Sequence, residues 1–502
     1  MELSEILTTM KGESITNNWD VVCAMSAARL TQLFEEKYNN GFLVHDVEHR
    51  VDVFGVAFVE VDLKIRHPLV SFIPGSPDKI RLTMRIKEGV SQVVDINGNP
   101  NEDYQQKFLP QDRIEDEPYI DAIVPLQGLR GEVDNEEVII NFDDEEASWR
   151  VDVNMDPLLK DFTQTAIKGY FRENVAGRDY SLGTLIYKDN PDLIDLTPTS
   201  FRFAATAEKT GDGTESIGSL LLFINVKGGR DLGGRPLSLN KIVNPVPNGF
   251  STALIISSRV LMSVAIYPSF SKLGPVEKVM PIHEYEENKG QENIFGLWKL
   301  RCIGGTRRLG KPGTDFGQGV DLRGIRFPED VEVSLSGLHL EVDGDKGINS
   351  THPKTTQTYP FQRQYTHGGG SIPYWKTYHV DIHFESNGKY NSSILESEDQ
   401  QGVVFNDKNI NATVTYSNDT SGWWNGPQGK RIAEAIDKQF KEDYENLILF
   451  DMKGISTFAV SNLLFPEDRV IEFGKKDDGT NDQGVYIPGD MLIVGRVKRL
   501  NG

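Results

Sequence analysis

The sharpest chemistry on offer in this chain is His45-Asp-Val-Glu-His49, which matches the HxxEH order of one class of zinc peptidase. That chemistry needs both imidazoles aimed at one metal from a helix, with a third ligand and an open coordination position. Here the pattern falls between a helix stop, Asn39-Asn40-Gly41, and a segment that alternates as a strand. An i, i+4 pair does not converge in that setting, so both histidines read as loop polarity and no metal is assigned. His379 and His383 flank Val380 and Ile382 on another predicted strand. Four residues apart on one face, they stand about 13 Å from each other, too far to share an ion.

Other constellations are weaker. Gly304-Gly305-Thr-Arg-Arg-Leu-Gly310 and Gly317-Gln-Gly319 lack both the GxGxxG order and a strand–helix setting, and neither a GxxxxGK[ST] loop nor a GxSxG elbow occurs. Arg307, Arg308 and Lys311 form a small basic cluster that reads as a solvated hairpin turn rather than an anion site. Trp423-Trp424 reads as packing beneath the last helix rather than as an exposed binding pair. Two cysteines, Cys23 and Cys302, lie far apart and outside any CxxC pattern, so both are expected as buried thiols. The expectation is a protein that is not an enzyme and carries no cofactor.

What must position these residues is a soluble chain of 502 residues, 38% hydrophobic and 25% charged, long enough for two or three domains. A net charge of −21 argues against non-specific binding to nucleic acid or to an anionic membrane. The start, MELSEILTTMKGES, is acidic and lacks an apolar core, so no signal peptide is expected. The reading is synthesis in the cytoplasm, with any release by a non-classical route. No apolar run approaches the length of a membrane span.

The organising stretch is Trp19–Tyr38. Placed on a helix at 100° per residue, it gathers Val22, Leu33, Ser26, Trp19, Leu30, Cys23 and Phe34 within an arc of about 120°. Val21, Ala24, Met25 and Ala28 occupy the opposite side, and only Gln32, Glu35 and Glu36 look solvated. A helix apolar nearly all round is enclosed by something. Val51 to Ile65 then alternates as one long strand, bent at Gly55, and Ile80, Leu82, Met84 and Ile86 mark a second. Together they predict a sheet rolled around a central helix.

Residues 95–147 are acidic and turn-rich, and read as a solvated face broken by short strands such as Val138-Ile139-Ile140. Asp156-Pro157 starts a helix lined by Leu158, Leu159, Phe162, Ala166 and Tyr170. Asn244-Pro-Val-Pro-Asn-Gly249 is the clearest break, dividing an N-terminal module, 1–245, from a C-terminal one, 246–502. Ser251 is a candidate cap for a second apolar helix, TALIISSRVLMSVAI, ended by Pro268, although its β-branched residues fit a strand as well. Strand-like runs follow at Leu297–Ile303, Val331–Leu335 and Tyr378–Phe384, with a long polar loop, Asp343–Pro373, between the last two. A final helix runs from Lys430 to about Leu447 on a seam of Ala433, Ile436, Phe440, Tyr444 and Leu447.

Three segments resemble a known family. Asn18-Trp19-Asp20-Val21-Val22 resembles the N-terminal WD signature of the clostridial forty-seven-kilodalton protein and OrfX proteins of neurotoxin and insecticidal gene clusters. Pro247-Asn-Gly-Phe-Ser-Thr-Ala-Leu-Ile-Ile-Ser-Ser-Arg-Val-Leu-Met262 resembles their central ALIIS segment, and Tyr486-Ile-Pro-Gly-Asp490-Met-Leu-Ile-Val-Gly495 their PGDLLILG ending. The acidic stretch 95–147 and the segment Asp343–Pro373 match nothing in that pattern.

The resemblance implies an α+β, TULIP-like (tubular lipid-binding) fold, with long twisted antiparallel sheets rolled around long helices in two modules. It implies a non-enzymatic accessory protein of a bacterial toxin or insecticidal locus, binding a lipid or other hydrophobic ligand, or sibling OrfX-type or toxin proteins. A structural interaction protein with filled rolls and no lipid is the alternative, and a metal-dependent hydrolase using His45 and His49 the third. The candidate helix wall of a ligand groove is Val22, Cys23, Leu30, Leu33 and Phe34, with plain core as the competing reading. Nucleic acid and an integral membrane segment are not expected.

Overall fold

The computed structural model describes residues 1–11, 14–126, 131–132, 138–139, 147–174, 181–183, 193–209, 216–229, 236–279, 299–310, 325–326, 328–342, 347–365, 374–396, 401–417, 427–448, 452–457, 460 and 471–497. Apolar residues on both sides of a segment mean burial on both sides, and a strand at the centre of a sheet meets that condition as well as an enclosed helix does. Trp19–Tyr38 is such a case. After a short helix α1 (Leu3–Met10), Val21–Ser26 forms strand β1, and helix α2 is only Ala27–Asn39. Ser26 caps that helix, its hydroxyl accepting from the Arg29 N–H at 3.3 Å. The single central helix predicted from the sequence is therefore corrected: its doubly apolar half is a strand, and its solvated half belongs to α2.

The next element also divides. Strands β2 (Asp46–Val53) and β3 (Ala57–Ile65) form a hairpin rather than one bent strand. Phe54 and Gly55, the central residues of a turn closed by the Val56 N–H on the Val53 carbonyl, both have positive φ, 55° and 72°. Gly55 is a reversal, not a bend. Strands β4 (Lys79–Asp95) and β5 (Pro100–Phe108) continue a seven-stranded antiparallel sheet. Helix α3 (Pro157–Asn174) lies on β2 and β3. As expected, Asp156 caps it, accepting from the Leu158 and Leu159 N–H groups at 3.0 and 3.2 Å. Leu159 and Ala166 are buried and Phe162 and Tyr170 pack against the core, but Leu158 faces solvent.

A second sheet, of eight strands, holds the molecule together. Strands β6 (Pro198–Lys209) and β7 (Ser216–Val226) come from the first half, and β8 (Thr252–Ile256) from the second. The apolar segment after Asn244–Gly249 thus begins as a strand. Helical turns succeed it through α4 (Ser258–Val260), a π-helical stretch Leu261–Ile266, and α5 (Tyr267–Phe270), so the helix passes Pro268 instead of ending there. Ser257, not Ser251, caps these turns, its hydroxyl accepting from the Val260 N–H at 3.3 Å.

In the C-terminal half, β9 (Gly347–Tyr365), β10 (Tyr374–Glu396) and β11 (Gln401–Ser417) are the long strands of a nine-stranded sheet. The polar loop predicted over Asp343–Pro373 is corrected by β9, whose polar residues fill a strand with one solvated face; Gly368–Gly370 lie outside the described residues. Helix α6 (Pro427–Ile448) lies against β11 and sets Tyr444 against Phe384 of β10, ring centroids 5.3 Å apart. Finally β12 (Met491–Val497) returns to the eight-stranded sheet, whose order across its middle is β12-β8-β1-β7-β6.

That central sheet draws on residues from both sides of Asn244–Gly249. In return, Leu193–Asp195 pairs in parallel with Gly454–Ser456 in the nine-stranded sheet. Period-two alternation sorts its residues between two cores. Leu222, Cys23, Leu254 and Ile493 form one cross-strand row, facing a core shared with the other two sheets. Phe223, Val22, Ile255 and Leu492 form the opposite row, covered by Ile6 and Met10 of α1 and by Leu239, Ile242, Val246 and Phe250.

Candidate functional site

The three motif segments, hundreds of residues apart in the chain, are neighbours in space: β1, β8 and β12 are adjacent strands. Each carries one charged residue beside an apolar run, and these come together. Asp20 is fully buried and forms an ion pair with Arg259, which lies just after β8. The second carboxylate oxygen of Asp20 accepts from the Val226 N–H at 2.8 Å. Asp490, just before β12, is fully buried as well. One of its oxygens accepts from the Ser258 N–H at 2.7 Å, the other from the Ile15 N–H at 2.7 Å and the Ser14 hydroxyl at 2.9 Å.

Burial pushes the Asp490 carboxyl up to about 6 in spite of these bonds, and lowers the Arg259 guanidinium to about 10 while Asp490 draws it the other way. Trp19 completes the knot: its indole N–H donates to the Pro236 carbonyl at 3.0 Å and its ring packs on Phe223. Each of these groups is bonded within the fold, and the cluster ties the three segments together. Sequence reasoning misses its members as a set, although a lone charge beside an apolar run, Asp20 before Val21-Val22, Arg259 after Leu254–Ile256 and Asp490 before Met491–Val494, is the signal that marks them.

The groove candidates divide between two faces. Val22 packs behind the central sheet, away from the others. Cys23, Leu30, Leu33 and Phe34 share the front core, each at most 4% exposed. Val22 and Cys23 lie on β1, so neither belongs to the helix wall predicted for them. The Cys23 thiol contacts the Val460 carbonyl at 3.3 Å and burial pushes its pKa far up; burial raises Cys302 to about 11.

His45 and His49 have separate surroundings. His45 stacks on the Tyr38 ring at 3.8 Å and its Nε2 lies 2.9 Å from the Tyr38 carbonyl, whereas His49 sits on β2 beside Gly169. Among the described residues no three His, Cys, Asp or Glu side chains converge as metal ligands. His383 meets Thr356 across the β9–β10 pair. Arg307 and Arg308 lie on the strand Thr306–Gly310, and Arg308 bonds Glu332 at 3.3 Å. Lys311, Gly317, Gly319 and Trp423-Trp424 lie outside the described residues.

Two open clefts are polar. One, of about 560 Å³, is bordered by Arg308, Glu329, Asp330, Glu332, Gln357 and Tyr359. The other, of about 410 Å³, lies over Asn349, Thr351, Asn387, Lys389 and Asn411 of the long strands. No helix among the described residues is long and apolar enough to cross a membrane.

A seven-stranded sheet from the first half of the chain and a nine-stranded, almost wholly antiparallel sheet built mainly from the second, with a central sheet to which both halves contribute, define this fold. The whole chain is similar in structure to P47 from Clostridium botulinum A2, with a TM-score of 0.58 over 97% of this chain and 99% of that one at 12% identity. It is likewise similar to P47 of Clostridium botulinum E1, with a TM-score of 0.57 over 97% and 100% at 10% identity. A lipopolysaccharide binding protein aligns over 96% of this chain with a TM-score of only 0.29. No family profile and no curated relative matches the chain. The resemblance read from the three segments is borne out in the fold, which is P47-like.

Proposed function

We propose that this chain is a non-enzymatic accessory protein of a bacterial toxin or insecticidal locus, and that it works by binding from its outer surface. The partner is a lipid surface or a sibling or toxin chain, and the interior serves as core. The observation that carries this reading is the closure of the front core. Leu30, Leu33 and Phe34 of α2 belong to one buried cluster with residues of all three large sheets. Side chains so enclosed are worth about 1.5–3 kcal/mol each as core, which a carried ligand would have to replace. The likeness to P47 supports the accessory role, as the family resemblance implies it.

The test is native mass spectrometry of the purified chain, beside extraction of any bound lipid. The bare chain mass and an empty extract are expected. A stoichiometric lipid would overturn the filled interior and establish the internal groove instead. Pull-down with the products of neighbouring genes then separates a protein partner from a lipid surface.

A further inference from the structure

Exposed large apolar side chains are scattered over most of the molecule, but four of them gather at one end of the N-terminal sheet. Phe54 and Val56, 83% and 69% exposed, sit on the β2–β3 turn. Ile96, 66% exposed, sits on the β4–β5 turn, which emerges at the same end because Ala57 pairs with both Val53 and Asp95. Leu158, 53% exposed, is in the first turn of α3, four residues before Phe162, whose ring meets that of Phe54 edge-on at 5.8 Å. The four side chains stand on turns instead of lining a groove. A protein partner would need a matching pocket for each, whereas an interfacial lipid layer accepts knobs without shape complementarity.

A turn can enter such a layer only if its backbone groups already have partners, because lipid offers none. At each of the three turns one aspartate takes up backbone N–H groups that would otherwise face the lipid. Asp52 accepts from the Gly55 N–H at 2.6 Å, and the Val56 N–H donates to the Val53 carbonyl at 3.2 Å. Asp95 accepts from the Asn97 and Asn99 N–H groups at 2.8 Å each, and its own carbonyl takes the Gly98 N–H at 3.0 Å. Asp156 caps α3 through the Leu158 and Leu159 N–H groups. The bonds from Asn99 hold the Asp95 carboxyl below its usual range, so it stays charged. Three fixed carboxylates around an apolar tip, on a chain of net charge −21, repel anionic headgroups and tolerate zwitterionic ones.

We propose that the tip formed by Phe54, Val56, Ile96 and Leu158 docks the protein onto a zwitterionic, phosphocholine-type bilayer surface. This deepens the surface-binding reading by naming the partner. The test is flotation of the full chain with vesicles of phosphatidylcholine, alone or mixed with phosphatidylserine, for the wild type and for the combined Phe54→Ser, Ile96→Ser and Leu158→Ser variant. Wild type is expected to float with phosphatidylcholine, and less well once phosphatidylserine is added. The variant, with an unchanged thermal midpoint, should lose roughly tenfold in partitioning per side chain. Quenching of a Phe54→Trp variant by brominated phosphatidylcholine, beyond that of wild type, should report insertion of the tip. Absent flotation, equal flotation of the triple variant, tighter binding to phosphatidylserine, or a tip-dependent dimer in sedimentation would each overturn the assignment. A lipid retained in native mass spectrometry would instead count against the filled interior and leave the tip unaffected.

Discussion

Asp20 and Arg259, separated by 239 residues, form a buried ion pair at the ends of two adjacent strands of the central sheet, Asp20 just before β1 and Arg259 just after β8. Such a pair is a weak source of net stability, yet leaving one member alone in the interior is costly. Asp20→Ala should therefore destabilise the fold by about 3–5 kcal/mol, and replacing Arg259 by Met in the same chain should recover part of that loss. Urea unfolding of the two single variants and the double variant checks this. Strict additivity would contradict the pairing.

A glycine protects the same carboxylate. A Cβ built on Gly229 would stand 1.8 Å from Asp20 Oδ2, with no room for both. Gly229→Ala should thus push Asp20 off the Val226 N–H and lower the thermal midpoint nearly as far as Asp20→Ala does. Gly304, whose added Cβ would meet nothing within 4 Å, serves as the control, and Gly304→Ala should change little.

Asp490 makes the stability of this knot depend on pH. Its folded pKa, about 6, lies above its ordinary value of 3.8, so the fold favours the protonated form. The contribution is fully present below pH 4 and is lost as pH rises through 6; it amounts to roughly 3 kcal/mol. Asp490→Asn cannot titrate, and its amide N–H₂ would face either Ser258 N–H or the Ile15 N–H and Ser14 hydroxyl. The midpoint difference between wild type and variant should hence widen as pH falls from 7 to 5. A constant difference would show that Asp490 does not titrate there.

The filled front core predicts a stability effect with no effect on binding. Phe34 is fully buried, and Phe34→Ala should cost about 3–5 kcal/mol, measured by denaturant midpoint. The same variant should leave vesicle flotation unchanged at temperatures where it stays folded. If Phe34 lined an open groove, the cost would be small and ligand binding would change instead.

How much of the fold is legible in the sequence depends on the residue. The alternation of β2 and β3, the cap at Asp156 and the final helix are readable because period and cap chemistry are local. Trp19–Met25 is not, because a central strand and an enclosed helix share one signature, apolar on both sides, and only the partners β7 and β8 decide between them. For the same reason β8 reads as helix. The β2–β3 turn escapes notice because its first residue is Phe54, an unusual occupant of positive φ, in place of the Asn or Asp that signals a hairpin. Strand β9 reads as loop because its Thr, His and Gln residues suit a solvated face, and its pairing with β10 is supplied from elsewhere in the chain. The pairing of Asp20 with Arg259 and the grouping of Phe54 with Ile96 and Leu158 are likewise tertiary facts.

One sheet is closed by the start, middle and end of the chain, and native-state hydrogen exchange tests that closure most directly. Amides of Val21–Ser26, Thr252–Ile256 and Met491–Val497 are buried among one another and should exchange together, as the slowest set, with one opening free energy close to that of global unfolding. Asp20→Ala should speed all three alike. Independent exchange, with Met491–Val497 opening well before Val21–Ser26, would contradict the shared sheet and with it the P47-like architecture.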